Sequence, residues 1–355
     1  MVLLHFVTAF LPDTAEHATP PLRVLWDGHT AVYVFFLISG AVLTPSFAQG
    51  GSWPRQCAKR VVRLGVPIAA AATIALALLA ALPDAHLAAA RLTGSGWLAM
   101  DSSGAPTLTH LMREITLDSL LFGFREYTLF TPISGRLPLL EHALNAPAWS
   151  LHLELYGSLL VLGLVMLRGR SPRAHVAAVI LCAVLFGTHP MFLFVLGHLF
   201  ASQPGKPPKP VIGAGLIALG LAMSASKDWA VVDAVRVAIA APNLFQFQSQ
   251  LAAVALFVGV LFSPFAHRLL SQCHHLGRLS FSLYLLHFPI LFTLACAGFI
   301  PLAQALPRPA AIGVTVIGFA IAIWLAATVF ERVVDRRAVR LGRWIDRPPP
   351  DEAWR

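Results

Sequence analysis

His5 stands in the apolar stretch LLHFV near the start of the chain. An imidazole takes and releases a proton near neutral pH, so a histidine inside an apolar helix is equipped to be a general base. A histidine that only packs helices together would have the same surroundings. Glu154 is a carboxylate in the apolar run AWSLHLELYGSLL, Ala148–Leu160. Ser150, Glu154 and Ser158 recur every fourth residue, so a helix puts them on one face, while His152 falls about 200° away from Glu154. That stripe suits either catalysis or hydrogen bonding between helices. Arg60 and Arg63 lie one helical turn apart in RQCAKRVVRLGVP. Their planar guanidinium forks suit phosphate, although arginines at the cytoplasmic end of a span need no ligand. In LGRLSFSLYLLHFPI, Leu276–Ile290, the residues Ser280, Tyr284 and His287 follow an i, i+4, i+7 spacing on one face. They could line a polar cavity or join helices. Glu331 sits beside Arg332 at the end of an apolar run, an ordinary place for a snorkelling charge.

The elements that must hold these groups are transmembrane helices. Hydrophobic residues make up 57% of the 355 and charged residues 12%, against about 25% charged in soluble domains. A surface that apolar excludes a soluble fold and predicts an all-α, polytopic transmembrane bundle. Taking about 20 apolar residues per crossing, the candidate spans are Met1–Leu11, Ala31–Phe47, Val62–Leu82, Trp149–Leu167, Ala174–Gly187, Met191–Ala201, Val211–Met223, Gln250–Phe262, Ser280–Ile300 and Ala310–Phe330. With ten spans and both termini cytoplasmic, eighteen of the 26 Lys and Arg residues fall on the cytoplasmic side, as membrane topology requires. They include Arg55, Lys59, Arg168, Lys206, Arg278, Arg347 and Arg355. The net charge of +9 is thus spread through short loops, which predicts membrane lipid and not nucleic acid as a partner. Cys57 and Cys273 lie in basic loops, and Cys182 and Cys296 in apolar runs. None has redox-motif or zinc spacing, so all four read as free thiols.

Met1–Leu11 is too short to span and lacks the charged start and cleavage site of a signal peptide. It reads as the second half of a helix whose first half lies upstream, through a late start or a trimmed chain. Pro83–Asn145 is the largest stretch without a span and is expected to face outward. Within it, His110–Phe124 has near-helical apolar spacing and reads as an amphipathic helix on the membrane or a lid over a site. Gln203–Pro210 reads as a short connector. No internal repeat is visible. One transmembrane domain, residues 1–335, is followed by a basic cytoplasmic tail, residues 336–355.

Taken in order, these residues resemble the acyltransferase-3 family of integral membrane O-acyltransferases over nearly the whole chain. His5 is similar to the family's first-helix histidine. Val34-Phe35-Phe36-Leu37-Ile38-Ser39-Gly40 resembles FF-x-x-SG, and Arg60-x-x-Arg63-Leu64-x-x-Pro67 resembles R-x-x-R-[IL]-x-P. Trp149-Ser150-Leu151-x-x-Glu154 resembles W-S/T-x-x-x-E, in a variant closer to a branch seen in fungi and some bacteria. Leu276 to His287 resembles LG-x-[IL]-S-[YF]-x-[IL]-YL-x-H, and Glu331 falls where the family ends its last helix with a glutamate. Tyr33 replaces the usual aspartate before the phenylalanine pair, and the arginine eleven residues before the first-helix histidine would lie upstream of Met1.

The resemblance implies transfer of an acyl group, usually acetyl from acetyl-CoA, to a hydroxyl, by an enzyme of the class that transfers groups other than aminoacyl. It implies acyl-CoA as co-substrate at Arg60 and Arg63, no bound cofactor and no metal. His5 would be the base, and Glu154 would orient either His5 or the acceptor. Ser39, Trp149, Ser150, Tyr284 and His287 would form a polar face for substrate or structure, with Ser39, Ser150 or Tyr284 as oxyanion donors. The acceptor, a carbohydrate or another envelope or secreted hydroxyl compound, is not readable. The implied location is a bacterial inner membrane. Two other functions fit the same bundle: a transporter or flippase of a lipid-linked sugar or metabolite, and a catalytically dead relative.

Overall fold

The computed structural model describes residues 2–17, 20–49, 51–99, 107–203, 209–226, 229–239 and 244–345. Met1, Lys206, most of the Gln203–Pro210 connector, and the tail beyond Ile345 with Arg347 and Arg355 lie outside the described residues. Among the described residues the regular structure is entirely helical. Five helices among these residues are long and apolar enough to cross a membrane: Gly28–Ala48, Trp53–Ala81, Ala146–Arg170, His274–Ala305 and Arg308–Ile345. Each contains one of the spans expected from the sequence or most of it. Two more crossings arise if Pro210–Ala225 with Ala230–Ala238, and Gln246–Phe262 with Pro264–Gln272, each count as one span; both pairs bend by 87°. Pro172–Phe186 and Met191–Ala201 are shorter apolar helices, and Val2–Phe10 has nine residues.

The chain divides into two compact units. One comprises Ala18–Trp53 and Tyr156–His274. Its centre is the contact of Gly28–Ala48 with Met191–Ala201, where Phe36 stacks on Phe194 with ring centroids 4.8 Å apart. A Cβ at Gly40 would lie 2.2 Å from the carbonyl oxygen of Phe194. Only a hydrogen fits there, which gives the Ser39-Gly40 pair a packing reason: small residues let apolar helices meet backbone to backbone. Gly40→Ala is expected to pry these helices apart and cost about 1–3 kcal/mol, read as a lower thermal midpoint in detergent. An unchanged midpoint would contradict the contact. One turn further on, the Thr44 hydroxyl donates to the Gly40 carbonyl at 2.8 Å and meets Nδ1 of buried His198 at 2.9 Å. His198 Nε2 in turn meets His175 Nε2 at 3.0 Å. At the start of the same helix, Asp27 caps Thr30 through its amide (3.2 Å) and its hydroxyl (2.6 Å).

The other unit comprises Val2–His17, Pro54–Leu155 and His275–Arg355. Phe6 and Phe10 on Val2–Phe10 pack on Phe319 (5.7 Å) and Phe299 (5.0 Å) respectively. The stretch Leu108–Phe122 overlaps His110–Phe124, expected from sequence as an amphipathic helix on the membrane or a lid over a site, and it is helical. It runs along Trp53–Ala81: Leu111 packs with Ala72 and Ala75, Ile115 joins the same cluster, and Leu120 approaches Gly65. Its buried face carries Glu114, Asp118 and Ser119, while Met112, Leu117 and Leu121 are exposed. The inward face is thus mixed, with Leu111 beside the three polar residues. Polar groups turn inward where neighbours can bond them, and apolar groups face the medium.

From Glu114 to Phe122 this stretch is a π-helix, as are Leu291–Ala295 and Glu331–Asp335. The wider turn brings i and i+5 together. Arg113 thus reaches Asp118 at 3.2 Å, and Arg336 donates to Glu331 at 2.8 Å. Glu331, expected from sequence as a snorkelling charge beside Arg332, is paired with Arg336. Arg336–Ile345 continues the last helix.

Candidate active site

His5 projects from Val2–Phe10 and His287 from His274–Ile290. Nδ1 of His5 lies 2.9 Å from Nε2 of His287. The two ring planes differ by 13° with centroids 5.0 Å apart. The nitrogen–nitrogen line plus two ring radii accounts for that separation, so the imidazoles meet edge to edge in nearly one plane. The protons can be placed from the network. Nδ1 of His287 lies 3.0 Å from the Leu283 carbonyl, which can only accept, so this nitrogen carries hydrogen. In the neutral ring, Nε2 of His287 is then an acceptor and Nδ1 of His5 donates to it. Nε2 of neutral His5 is left with a lone pair. His287 is fully buried, whereas His5 is partly exposed.

The wall beside His5 is aromatic. Trp97 lies nearly parallel to the imidazole, 23° off with centroids 5.0 Å apart, and Phe288 stands nearly perpendicular to it at 5.9 Å.

A second group fixes the segment before Glu154. Both carboxylate oxygens of buried Glu114 accept backbone N–H groups, from Leu144 at 2.6 Å and Asn145 at 3.0 Å. The Asn145 amide donates to the Leu285 carbonyl at 2.8 Å. Tyr284 donates its hydroxyl proton to the Pro147 carbonyl, so Ser150, 2.8 Å away, donates to the Tyr284 oxygen. Both hydroxyl protons are committed inside the protein. Trp149 packs on Tyr127 at 4.2 Å, and its carbonyl accepts from His152 Nδ1 at 2.7 Å. The His152 ring fills the space over Gly123, where a Cβ would come within 2.6 Å and where φ is +77°. No L side chain suits that position on either count.

Burial pushes the Glu114 carboxyl up to about 7, against the two N–H donors that favour its ionised form, with Asp118 adding to the rise. A carboxyl raised above its unfolded value binds more protons folded than unfolded, so it favours the fold at low pH and loses that contribution between about pH 4.5 and 7. Thermal stability should therefore fall across this interval. In Glu114→Gln, which cannot titrate, that part of the slope should vanish while the midpoint drops at all pH values. An unaltered slope would exclude Glu114 as its source.

Arg60 donates through Nη2 to Oε1 of Glu154 at 2.8 Å, and the two side chains are only 13% and 4% exposed. Arg63 pairs in bidentate fashion with Asp335 and lies 5.3 Å from the ring centre of Phe281. Lys59 packs its Cγ 3.2 Å from the Cβ position of Gly342.

The second unit thus holds His5, Arg60, Arg63, Trp149, Ser150, Glu154, Tyr284 and His287. Direct contacts join His5 to His287, Ser150 to Tyr284, and Arg60 to Glu154. The hydrogen-bond partner of His5 is His287, not Glu154. Ser39 is buried in the first unit, on Gly28–Ala48. Sequence reasoning passed over Trp97, Glu114 and Asp335. The carboxylates had a usable signal, since each stands in or beside an apolar run.

The family model described as an acyltransferase domain (Acyl_transf_3) matches residues 1–327. The chain belongs to the acyltransferase-3 family. Neither the curated proteins nor the solved structures yield a match. As a family member this chain is a membrane acyltransferase, with an acyl donor and an acceptor to accommodate. In that light the five recurrent motifs have distinct structural tasks. The first-helix histidine meets the histidine that ends the LG…H motif. The first arginine of R-x-x-R meets the glutamate of the W-S motif. The SG pair closes a helix contact.

Proposed function

We propose that the protein moves an acyl group, acetyl foremost, from acyl-CoA to a hydroxyl of a carbohydrate or other envelope or secreted acceptor. The single observation that carries this reading is the Leu283–His287–His5 chain, which leaves a lone pair on Nε2 of His5. That nitrogen takes the proton of the acceptor hydroxyl as its oxygen attacks the thioester carbonyl. The tetrahedral intermediate collapses with cleavage of the carbon–sulfur bond. The departing CoA thiolate recovers the proton from the His5 imidazolium, giving an ester and free CoA. His287 accepts the Nδ1 proton of His5 throughout and keeps the reactive tautomer. Arg63, with a side chain 28% exposed, is the more open guanidinium to meet the donor's phosphates, and Arg60 lies behind it against Glu154.

The fuller topology belongs to the same reading: ten spans, both termini cytoplasmic, in a bacterial inner membrane. A helical bundle with interior polar groups also fits one other class, a transporter or flippase of a lipid-linked sugar or metabolite. Membrane vesicles carrying the protein, given acetyl-labelled acetyl-CoA, separate the two. Label passing into a base-labile ester product supports transfer. Movement of unmodified solute without any acyl donor, and no labelled ester, would refute it.

A further inference from the structure

A general base works only if its ring is held at the right tilt as well as the right tautomer. The hydrogen bond to His287 fixes the His5 imidazole in its own plane, but one such bond leaves the ring free to rock about the line joining the two nitrogens. The face of the ring needs a second support. We infer that Trp97 is a positioning residue for His5: its indole covers one face of the imidazole, stops that rocking, and supports the positive charge the ring acquires when it takes a proton.

Four observations carry this. The indole and imidazole are near parallel, 23° apart with centroids at 5.0 Å. Trp97 is itself clamped by two rings, edge-on to Phe288 at 5.9 Å and to Phe292 at 4.9 Å, which stack on each other at 4.3 Å. The turn that carries it is tied to the helix of His5, because the Ser95 hydroxyl donates to the Thr8 carbonyl at 2.7 Å. The same hydroxyl oxygen accepts the amide of Leu98, at 3.3 Å, whose side chain is fully buried. Trp97 and His5 are thus built as one rigid piece. An indole face carries the negative side of its quadrupole toward a cation, and tryptophan is the strongest of the aromatic residues in this. Among the described residues, the titratable and charged groups on the neighbouring elements include His287, which touches His5, Tyr284 beside His287 at 6.2 Å, His86, 5.3 Å from the Phe292 ring, and Arg308, which donates to the Thr93 carbonyl at 3.0 Å.

The inference rests on His5 being the base, and its test is separable from that reading. Transfer is measured against pH in membranes for wild type, Trp97→Leu, Trp97→Phe and His5→Ala. Without the indole, His5 binds its proton less tightly. The acidic limb of the rate profile should then move about half to one pH unit toward acid. The plateau kcat should fall about tenfold from the loosened ring, with KM for acetyl-CoA unchanged. Trp97→Phe, which keeps a ring face, should recover most of both. If Trp97→Leu lowers activity only in proportion to the folded protein recovered and leaves the limb where it was, Trp97 is packing alone and the inference is overturned. Retained transfer in His5→Ala would instead remove the base assignment.

Discussion

His5→Ala is expected to lower acyl transfer by about 10²–10⁴-fold while the protein still folds and inserts. His5 is partly exposed, and its loss removes one imidazole from the end of a hydrogen-bonded chain, not from the middle of the core. His287→Ala should be less damaging to chemistry and more damaging to stability. It leaves the Leu283 carbonyl with only its helical partner and opens a cavity at a fully buried position. The remaining His5 is free to carry its hydrogen on either nitrogen, so part of the population presents the wrong tautomer. A side chain that accepts at the Nε2 position should restore rate more than alanine does. His287→Gln can place its carbonyl there, and activity in the order wild type, glutamine, alanine is the expected series. Equal activity for His5→Ala and wild type, with equal protein in the membrane, would dispose of the mechanism.

The largest stability effect should come from Glu154→Ala or Arg60→Ala. The pair is buried at 13% and 4% side-chain exposure, so removing one partner deprives the other's charge of this counter-ion in a low-dielectric site. Such changes cost about 3–5 kcal/mol, enough to unfold a marginal protein. Replacing both partners with apolar groups of similar volume, Arg60→Met with Glu154→Leu, should regain most of that loss because neither charge remains. The double variant also separates two roles. If Arg60 and Glu154 serve only the fold, the folded double variant transfers acyl groups normally. If Arg60 also draws the donor's phosphates, its KM for acetyl-CoA stays raised in a stable protein. Thermal melts in detergent give the first number and initial rates the second.

The helical class and the place of most long helices were legible because apolar runs of span length have few other uses. The pairing of His5 with His287 was not legible, since 282 positions separate them and periodicity speaks only within one helix. Glu154 was correctly singled out as a buried carboxylate, but the sequence could not choose its partner. Its reading allowed it to orient either His5 or the acceptor, and the arginines allowed either a phosphate ligand or a purely topological role; the pairing of Arg60 with Glu154 lies outside both. In Leu108–Phe122 apolar periodicity marks a helix but not the whole of its buried face, where Glu114, Asp118 and Ser119 sit beside Leu111. Asp335 was lost among the arginines that follow it, a run that reads as a solvated tail. It is the last residue of the expected domain and holds Arg63.

The π turns add a point about how such a protein changes over time. A helix pinned at both ends absorbs one additional residue by widening a single turn, and every side chain beyond the turn keeps its old neighbours. The pairs Arg113–Asp118 and Glu331–Arg336, each five positions apart, could not close around a regular α-turn, where residues five apart point well away from each other. One codon gained in Glu331–Asp335 can therefore create a new ion pair without disturbing Phe319 or Phe299 further along the bundle. One codon lost would dissolve it just as locally. The three widened turns are places where this membrane scaffold can alter the polar furniture beside its site while the apolar frame is inherited intact.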